Sequence, residues 1–559
     1  MSTLQSIPPE IFATICADCD PRTLLSLAHA CRGLSWLALA LLWQKTDSLS
    51  ALLHILPSDA IQRSSPYLHH PTGKVVRIVD VGRELTSKDL ERYRVYAPLI
   101  HSLNLFAPLG WDVTANAWKR FERADPGPLP NLRNLSANMH IDGRDPTGLI
   151  IPVYVLLGAA FEDLAISVRT SAAWNPQEKL EPYISDLLMR LAKRCPQFSR
   201  LNLSLDQEAP YLSGVLADAL CGLPGLVSLR IINIPLLPRA FVQIGSLSSL
   251  TTLEFDARSA DYPQGALTRG HSGDGDPFPS LATLEICADS MQCLISLIEY
   301  ARAPRLEYLK ITLHFKATSP ELTKLTATIG SSPFHATLER LGLNIPYGVE
   351  TADRPLPPHL FEPLYAISHL RSFYLKGFCY AALDDAAFVQ MARAWPHLEN
   401  LQLCDMRPPP GTITLAGLVE LARLCGSIQS LRLQLADVHN AQCVALLERL
   451  RSGSAVAQPT VGMRRQTRLD IGNPTIGDED VSAVSEILAR ALPPLDRLIH
   501  SWGPEVSGVN KLDQGASEVL PEPTSLREVM ARKWTAVRTS YYSARQTEPE
   551  QGRSSMIVT

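Results

Sequence analysis

A six-residue unit, apolar-x-x-Leu-x-apolar, returns thirteen times along this 559-residue chain. It reads IHSLNL at 100, LRNLSA at 132, FEDLAI at 161, FSRLNL at 198, LVSLRI at 226, LTTLEF at 250 and LATLEI at 281. It continues as LEYLKI at 306, LERLGL at 338, LRSFYL at 370, LENLQL at 398, IQSLRL at 428 and QTRLDI at 466. The central position runs from Leu103 to Leu469 in twelve steps of 24 to 38 residues, a mean of about 30. Alternation of apolar and polar residues closes each unit and predicts a short strand. Helical patterns lie between the units, as in EPYISDLLMRLAKRC at 181, SMQCLISLIEYAR at 290, DDAAFVQMARAW at 384 and TLAGLVELARLC at 414. A lone strand and helix of this size cannot bury their apolar faces, so each must stack on its neighbours. The pattern predicts an α/β solenoid with a parallel sheet on one side and helices on the other, over residues 96–502.

Composition excludes several function classes. Charged residues make up 19% of the chain and hydrophobic residues 46%, which suits a folded soluble protein. The formal net charge of −4 gives no global reason to bind nucleic acid. The eleven cysteines are scattered, and Cys16 and Cys19 form the one CxxC, with no second pair to complete a zinc site. Scattered cysteines suit a reducing compartment. No basic region precedes the first apolar run, and Gly33 to Gln44 is too short to span a bilayer, so no membrane association is expected and the chain reads as cytoplasmic or nuclear. GHSGDGD at 270 lacks the endings of phosphate and calcium loops, and it lies in a Gly, Asp and Pro-rich stretch from 256 to 277 that reads as a loop. No nucleophile–base set can be named, so no enzyme and no cofactor or metal is expected.

The N-terminus carries a second signal. Pro8, Pro9 and Glu10 make a helix start, with Ile11, Phe12 and Ile15 on one face. Asp20 caps a second helix that begins at Pro21 and carries Leu24, Leu27, Ala28 and Cys31. Leu34 to Trp43 is a third helical run, apolar on nearly every side. Three short helices here hold more apolar surface than so small a core can bury.

SIPPEIFATICADCDPRTLLSLAHACRGLSWLALALLW resembles an F-box, in the form common in fungal proteins. The likeness rests on Ile-Pro followed by Glu-Ile, the TLLSLAHACR segment and the closing Leu-Trp, and it covers 3–57. Ile7 stands where Leu is usual. The resemblance implies docking on a Skp-type adaptor, and through it on a cullin–RING ubiquitin ligase of the SCF type. Carried onto this chain, it implies contact or core roles for Ile7, Pro8, Ile11, Ile15, Leu24, Leu27, Cys31 and Trp43. The thirteen units are similar to leucine-rich repeats in period and in their L-x-x-L-x-L core, although the usual closing asparagine is irregular here. The implied fold is a small three-helix F-box followed by a leucine-rich-repeat horseshoe.

Residues between the buried positions of each strand face away from the helices. Arg230, Glu254, Glu285, Lys310, Tyr374, Gln402 and Arg432 are therefore expected to hold a target protein, with Asn104, Asn202 and Asp470 in the same row. Residues 58–95 read as a linker in which KVVRIVDVG (74–82) could add a first strand, and 503–559 as a partly disordered extension with a helix at Leu526–Tyr542. The expectation is a non-catalytic substrate receptor of a ubiquitin ligase. Two alternatives stand beside it. One is a repeat scaffold whose N-terminal helices are only a cap. The other is a GTPase regulator, which the absence of an acidic run in 543–559 disfavours.

Overall fold

The computed structural model describes residues 9–63, 79–107, 114–141, 153–170, 177–257, 276–345, 356–403, 411–452, 467–500 and 526–546, together with 267. A few positions inside these stretches are left out: 18, 31, 47–48, 154, 221, 378–380, 382 and 493–494. The chain is mixed α/β and divides into two compact units, Met1–Leu281 and Ala282–Thr559. Among the described residues its parallel strands number fifteen, seven in the first unit and eight in the second.

The first unit opens with three helices, α1 (Pro9–Cys16), α2 (Pro21–Ala30) and α3 (Arg32–Gln44). Asp20 starts α2 as its sequence suggests, since its carboxylate accepts from the backbone N–H of Arg22 at 2.9 Å and of Thr23 at 3.2 Å. Strand β1 (Lys45–Thr46) follows α3. The next two strands, β2 (Ile61–Arg63) and β3 (Val79–Val81), pair antiparallel in a sheet of their own. The segment at 74–82 thus contributes to a separate pair, and β1 is the strand that lies beside the first repeat strand, β4 (Ser102–Ala107). Strands β5 (Asn134–Ile141), β6 (Asp163–Thr170), β7 (Arg200–Leu205), β8 (Ser228–Ile232) and β9 (Thr252–Ala257) follow in sequence order, each parallel to the last. The helices Ala115–Arg123, Gln177–Arg194, Leu212–Leu220 and Pro238–Gly245 return the chain between strands, as parallel pairing requires.

The second unit repeats the scheme. Its strands are β10 (Thr283–Ala288), β11 (Tyr308–Leu313), β12 (Arg340–Ile345), β13 (Ser372–Gly377), β14 (Asn400–Gln402), β15 (Ser430–Arg432), β16 (Thr467–Asp470) and β17 (Leu495–Ile499). Helices Met291–Tyr300, Ser319–Ser331, Asp385–Ala394 and Leu415–Leu424 begin on the side-chain caps Ser290, Thr318, Asp384 and Thr414. Thr318 and Glu321 complete a reciprocal capping box.

The strands bury every second residue. In β10, Leu284, Ile286 and Ala288 are at most 1% exposed, while Thr283, Glu285 and Cys287 are half-buried on the other side. This is the alternation read from the sequence, and it places the core between sheet and helices. A shared carbonyl locks successive repeats together. The Glu162 carbonyl accepts from the N–H groups of both Ser199 and Arg200, Ser199 from Val227 and Ser228, and Val227 from Thr251 and Thr252. The second unit uses Ala282, Glu307, Glu339, Arg371 and Glu399 in the same way. This backbone ladder needs no particular side chain, which explains how the repeat persists without a regular asparagine. Single asparagines bridge repeats at irregular places: Asn233, at φ +60°, donates to the Leu205 carbonyl at 2.7 Å, Asn131 to the Pro98 carbonyl at 2.7 Å and Asn400 to the Ser372 hydroxyl at 3.0 Å.

The helix Leu526–Gln546 closes the second unit. Met530, Trp534, Val537 and Tyr541 follow three- and four-residue spacing and are 0–7% exposed. Trp534 Nε1 donates to the Pro474 carbonyl at 2.8 Å, and Leu495 N–H donates to the Tyr541 hydroxyl at 2.8 Å. Part of the 503–559 extension is therefore integral to the unit. Residues 501–525 and 547–559 lie outside the described residues, as do most of the 256–277 loop and its GHSGDGD run.

Candidate functional site

Two surfaces carry the side chains that the sequence singles out. The first is the outer side of α1–α3. Its core is small: Cys16 and Leu24 are buried, and Cys19, Leu27, Leu37, Leu41 and Leu42 pack partly against them. Cys16 is thus an apolar core residue, as its spacing suggests. Around this core, large apolar side chains face outward. Ile11 is 53% exposed, Ile15 61%, Leu25 46% and Trp36 50%. Trp43 turns the other way and packs on Tyr96 at 5.2 Å between ring centroids, which ties α3 to the first repeat.

The eight residues carried over from the F-box resemblance therefore separate. Ile11 and Ile15 are exposed, Leu24 and Leu27 belong to the helical core, and Trp43 faces the repeats. Ile7, Pro8 and Cys31 lie outside the described residues. Sequence reasoning missed Leu25 and Trp36. The signal for Trp36 was present, because an α3 apolar on nearly every side cannot bury all of its side chains in a three-helix core, whereas Leu25 on α2 stands next to the buried Leu24 and had no separate signal.

The second surface is the sheet face turned away from the helices. In the first unit Asn104, Ser136, Ala165, Asn202, Arg230 and Glu254 are successive register partners. In the second the row is Glu285, Lys310, Gly342, Tyr374, Gln402, Arg432 and Asp470. All seven residues expected to hold a target stand in these two rows. The five charged ones are taken up by neighbours. Arg230 pairs with Glu254 at 2.9 Å, Lys310 with Glu285 at 2.6 Å and Arg432 with Asp470 at 3.1 Å. Such half-exposed cross-strand pairs contribute at most about 1 kcal/mol each and leave less charge for a partner.

Exposed residues that the sequence reading passed over flank the second row. Arg340 lies over the Tyr308 ring at 5.1 Å, and Lys376 Nζ is 5.7 Å from the Tyr374 centroid. Both cations are exposed and both rings half-buried. Their signal was the strand period itself, because positions two residues before or after a central-row residue share its face.

The buried thiols are poor nucleophiles. Burial pushes Cys425 up to about 12 and Cys195 and Cys443 up to about 11, so they stay protonated at neutral pH. A surface groove of about 270 Å³ beside Asp385, Thr414, Asp437, Gln442 and Cys443 is lined mostly by apolar side chains such as Leu415, Val438 and Leu446, and its two carboxylates are engaged. Asp385 accepts from the Thr414 N–H and hydroxyl, and Asp437 from the Thr475 N–H. Among the described residues no helix is long and apolar enough to cross a membrane.

No protein-family model matches this chain, and no curated protein matches it. The geometry of the two surfaces is what bears on function.

Proposed function

We propose that this protein is a non-catalytic substrate receptor of an SCF-type ubiquitin ligase. Its N-terminal helices would dock on a Skp-type adaptor, and its leucine-rich-repeat face would hold a target protein. The observation that carries the reading is the outward set of Ile11, Ile15, Leu25 and Trp36 on a small helical module. Four large apolar side chains left in water on a module of about forty residues are apolar surface that a partner would cover. The receptor would then act by proximity, raising the effective concentration of target lysines near a loaded conjugating enzyme held elsewhere in the assembly.

A second reading has its own support. Strand β1 pairs with β4 and Trp43 packs on Tyr96, so α3 also serves as the end cap of the sheet. A scaffold with no ligase link would need this cap and nothing more. It leaves the outward residues of α1, α2 and α3 without a purpose.

Gel filtration of full-length protein with purified Skp-type adaptor separates the two. Co-elution at a defined stoichiometry is expected. Separate elution of two folded proteins overturns the ligase reading in favour of the scaffold.

A further inference from the structure

The helix layer of the second unit is uneven at one place. Helix Asn440–Arg451 packs on helix Asp480–Ala491, and that helix also touches Leu415–Leu424 directly. The groove of about 270 Å³ lies beside this irregularity, between the first turn of Leu415–Leu424 and one side of Asn440–Arg451. Gln442 and Arg449 are the first and last residues of the latter helix to line it, about 10 Å apart along the axis. Leu415, Val438, Cys443 and Leu446 make its walls and are at most 8% exposed.

Three charged side chains line the groove: Asp385, Asp437 and Arg449. Asp385 is committed to the start of helix Leu415–Leu424. Its two oxygens accept from the Thr414 N–H at 2.8 Å and hydroxyl at 2.6 Å, and a Cβ on Gly417 would collide with it. Its exposed neighbour Asp384 caps its own helix through the Ala387 N–H. Arg449 is exposed, follows the exposed Glu448 in sequence and lies near Glu420. The Arg423 hydrogen bond, with Arg449 adding to it, holds the Glu420 carboxyl below its usual range. Asp437 differs from both. It is half-buried, one oxygen accepts from the neutral Thr475 N–H at 2.8 Å, and no cation pairs with it among the described residues. Lys533, which reaches the same loop, donates to the Ile476 carbonyl at 3.1 Å and pairs with Asp478 at 3.3 Å. His439, two residues along from Asp437, is exposed and lies near Asp480.

From this arrangement we infer that the groove is the docking site for a lysine or arginine side chain of a partner polypeptide, its stem laid along the apolar walls and its charged head at Asp437. The chemistry of the groove disfavours simpler occupants. A purely apolar side chain would strip water from the Asp437 carboxylate without replacing its hydrogen bonds. An acidic side chain at that end would meet like charge. A basic side chain has both parts, an apolar stem and a cationic head. Arg449 sets the direction, because it repels the head from its own end. The groove is smaller than the roughly 300–1,000 Å³ of small-molecule sites, so it suits one side chain of a larger partner. The inference concerns neither the sheet face nor the adaptor, and its failure would leave the reading of both in place.

The test is selection of a random twelve-residue peptide display library on immobilised full-length protein. Selected peptides are then synthesised and titrated against wild type, Asp437→Asn and Ala445→Trp. Asparagine keeps an oxygen for the Thr475 N–H and removes the charge. Tryptophan at the exposed Ala445 fills the groove. An unchanged melting curve confirms that each variant folds. Each peptide is also made with norleucine in place of its lysine or arginine, which keeps the stem and removes the head without altering the protein. The expected result is enrichment of Lys or Arg, affinity that falls as salt rises, and a loss of tenfold or more with either variant and with norleucine. Selected peptides without Lys or Arg overturn the inference. So do basic peptides that bind both variants as tightly as wild type, because they sit elsewhere, and norleucine peptides that bind undiminished. Peptides lost with Ala445→Trp but not with Asp437→Asn occupy the groove without the ion pair, and they too overturn it. No selection at all overturns it as well.

Discussion

Trp534 is the residue on which the closure of the second unit depends most. Its ring is fully buried, and its Nε1 donates to the Pro474 carbonyl at 2.8 Å. Truncation to alanine removes about 150–200 Å² of apolar contact, equivalent to about 4–5 kcal/mol at 25 cal/mol per Å². It also orphans a buried carbonyl, at about 1 kcal/mol or more. Part of the area term is already offset in the unfolded chain, so a net loss of about 4 kcal/mol is expected for Trp534→Ala. The loss should be local. The helix Leu526–Gln546 is held by Trp534 with Met530, Val537 and Tyr541, and Tyr541 in turn accepts from Leu495 in β17. Hydrogen exchange should therefore accelerate in that helix and in β17 while the first unit keeps its protection. Leu526→Ala, at a position 62% exposed, serves as the control and should change little. A Trp534→Ala protein within about 0.5 kcal/mol of wild type, with unchanged exchange in the helix, would refute the closure argument.

Three further outcomes follow from the same packing. Ile11→Asp and Ile15→Asp should leave the melting temperature unchanged because both side chains face water, whereas Leu24→Asp in the helical core should cost about 3 kcal/mol or more by chemical denaturation. Gly330→Ala would drive a Cβ into the Pro363 carbonyl oxygen, and a loss of about 1–3 kcal/mol is expected in a urea melt. Burial, with Arg538 adding to it, holds His500 down at about 4 in the folded chain, against an ordinary 6.5. The unfolded chain therefore takes up a proton that the folded one refuses as pH drops below about 6.5, and stability falls until pH reaches about 4. His500→Phe should lose about 1–2 kcal/mol less than wild type between pH 7 and pH 5, measured by parallel denaturant titrations.

The repeats were legible because their physics is local. An apolar residue at every second strand position, and at three- and four-residue helical spacing, fixes which side of each element is buried, as Leu284, Ile286 and Ala288 illustrate. The segment at 74–82 was harder, because Val79–Val81 is apolar enough for a repeat strand and only its pairing with Ile61–Arg63 excludes it. A three-residue strand carries no signal of its partner. The outward rows were legible as positions but not as chemistry. Arg230, Glu254, Glu285, Lys310 and Arg432 looked available, yet each neutralises a charge one strand away. Sequence distances of 24 to 38 residues hide such pairs. In α1–α3 the apolar excess was visible, but which residues satisfy the core and which face water depends on how three short helices cross. Leu24 went inward and Leu25 outward, one residue apart.

The receptor reading stands or falls on the adaptor. Calorimetric titration of purified Skp-type adaptor into full-length protein, wild type beside Ile11→Asp with Ile15→Asp, measures it most directly. The account predicts binding by wild type with a negative heat-capacity change, the mark of apolar burial, and a loss of about 100-fold or more in the folded double variant. Folded wild-type protein that gives no heat of binding at any temperature, or a double variant that binds as tightly as wild type, would contradict it.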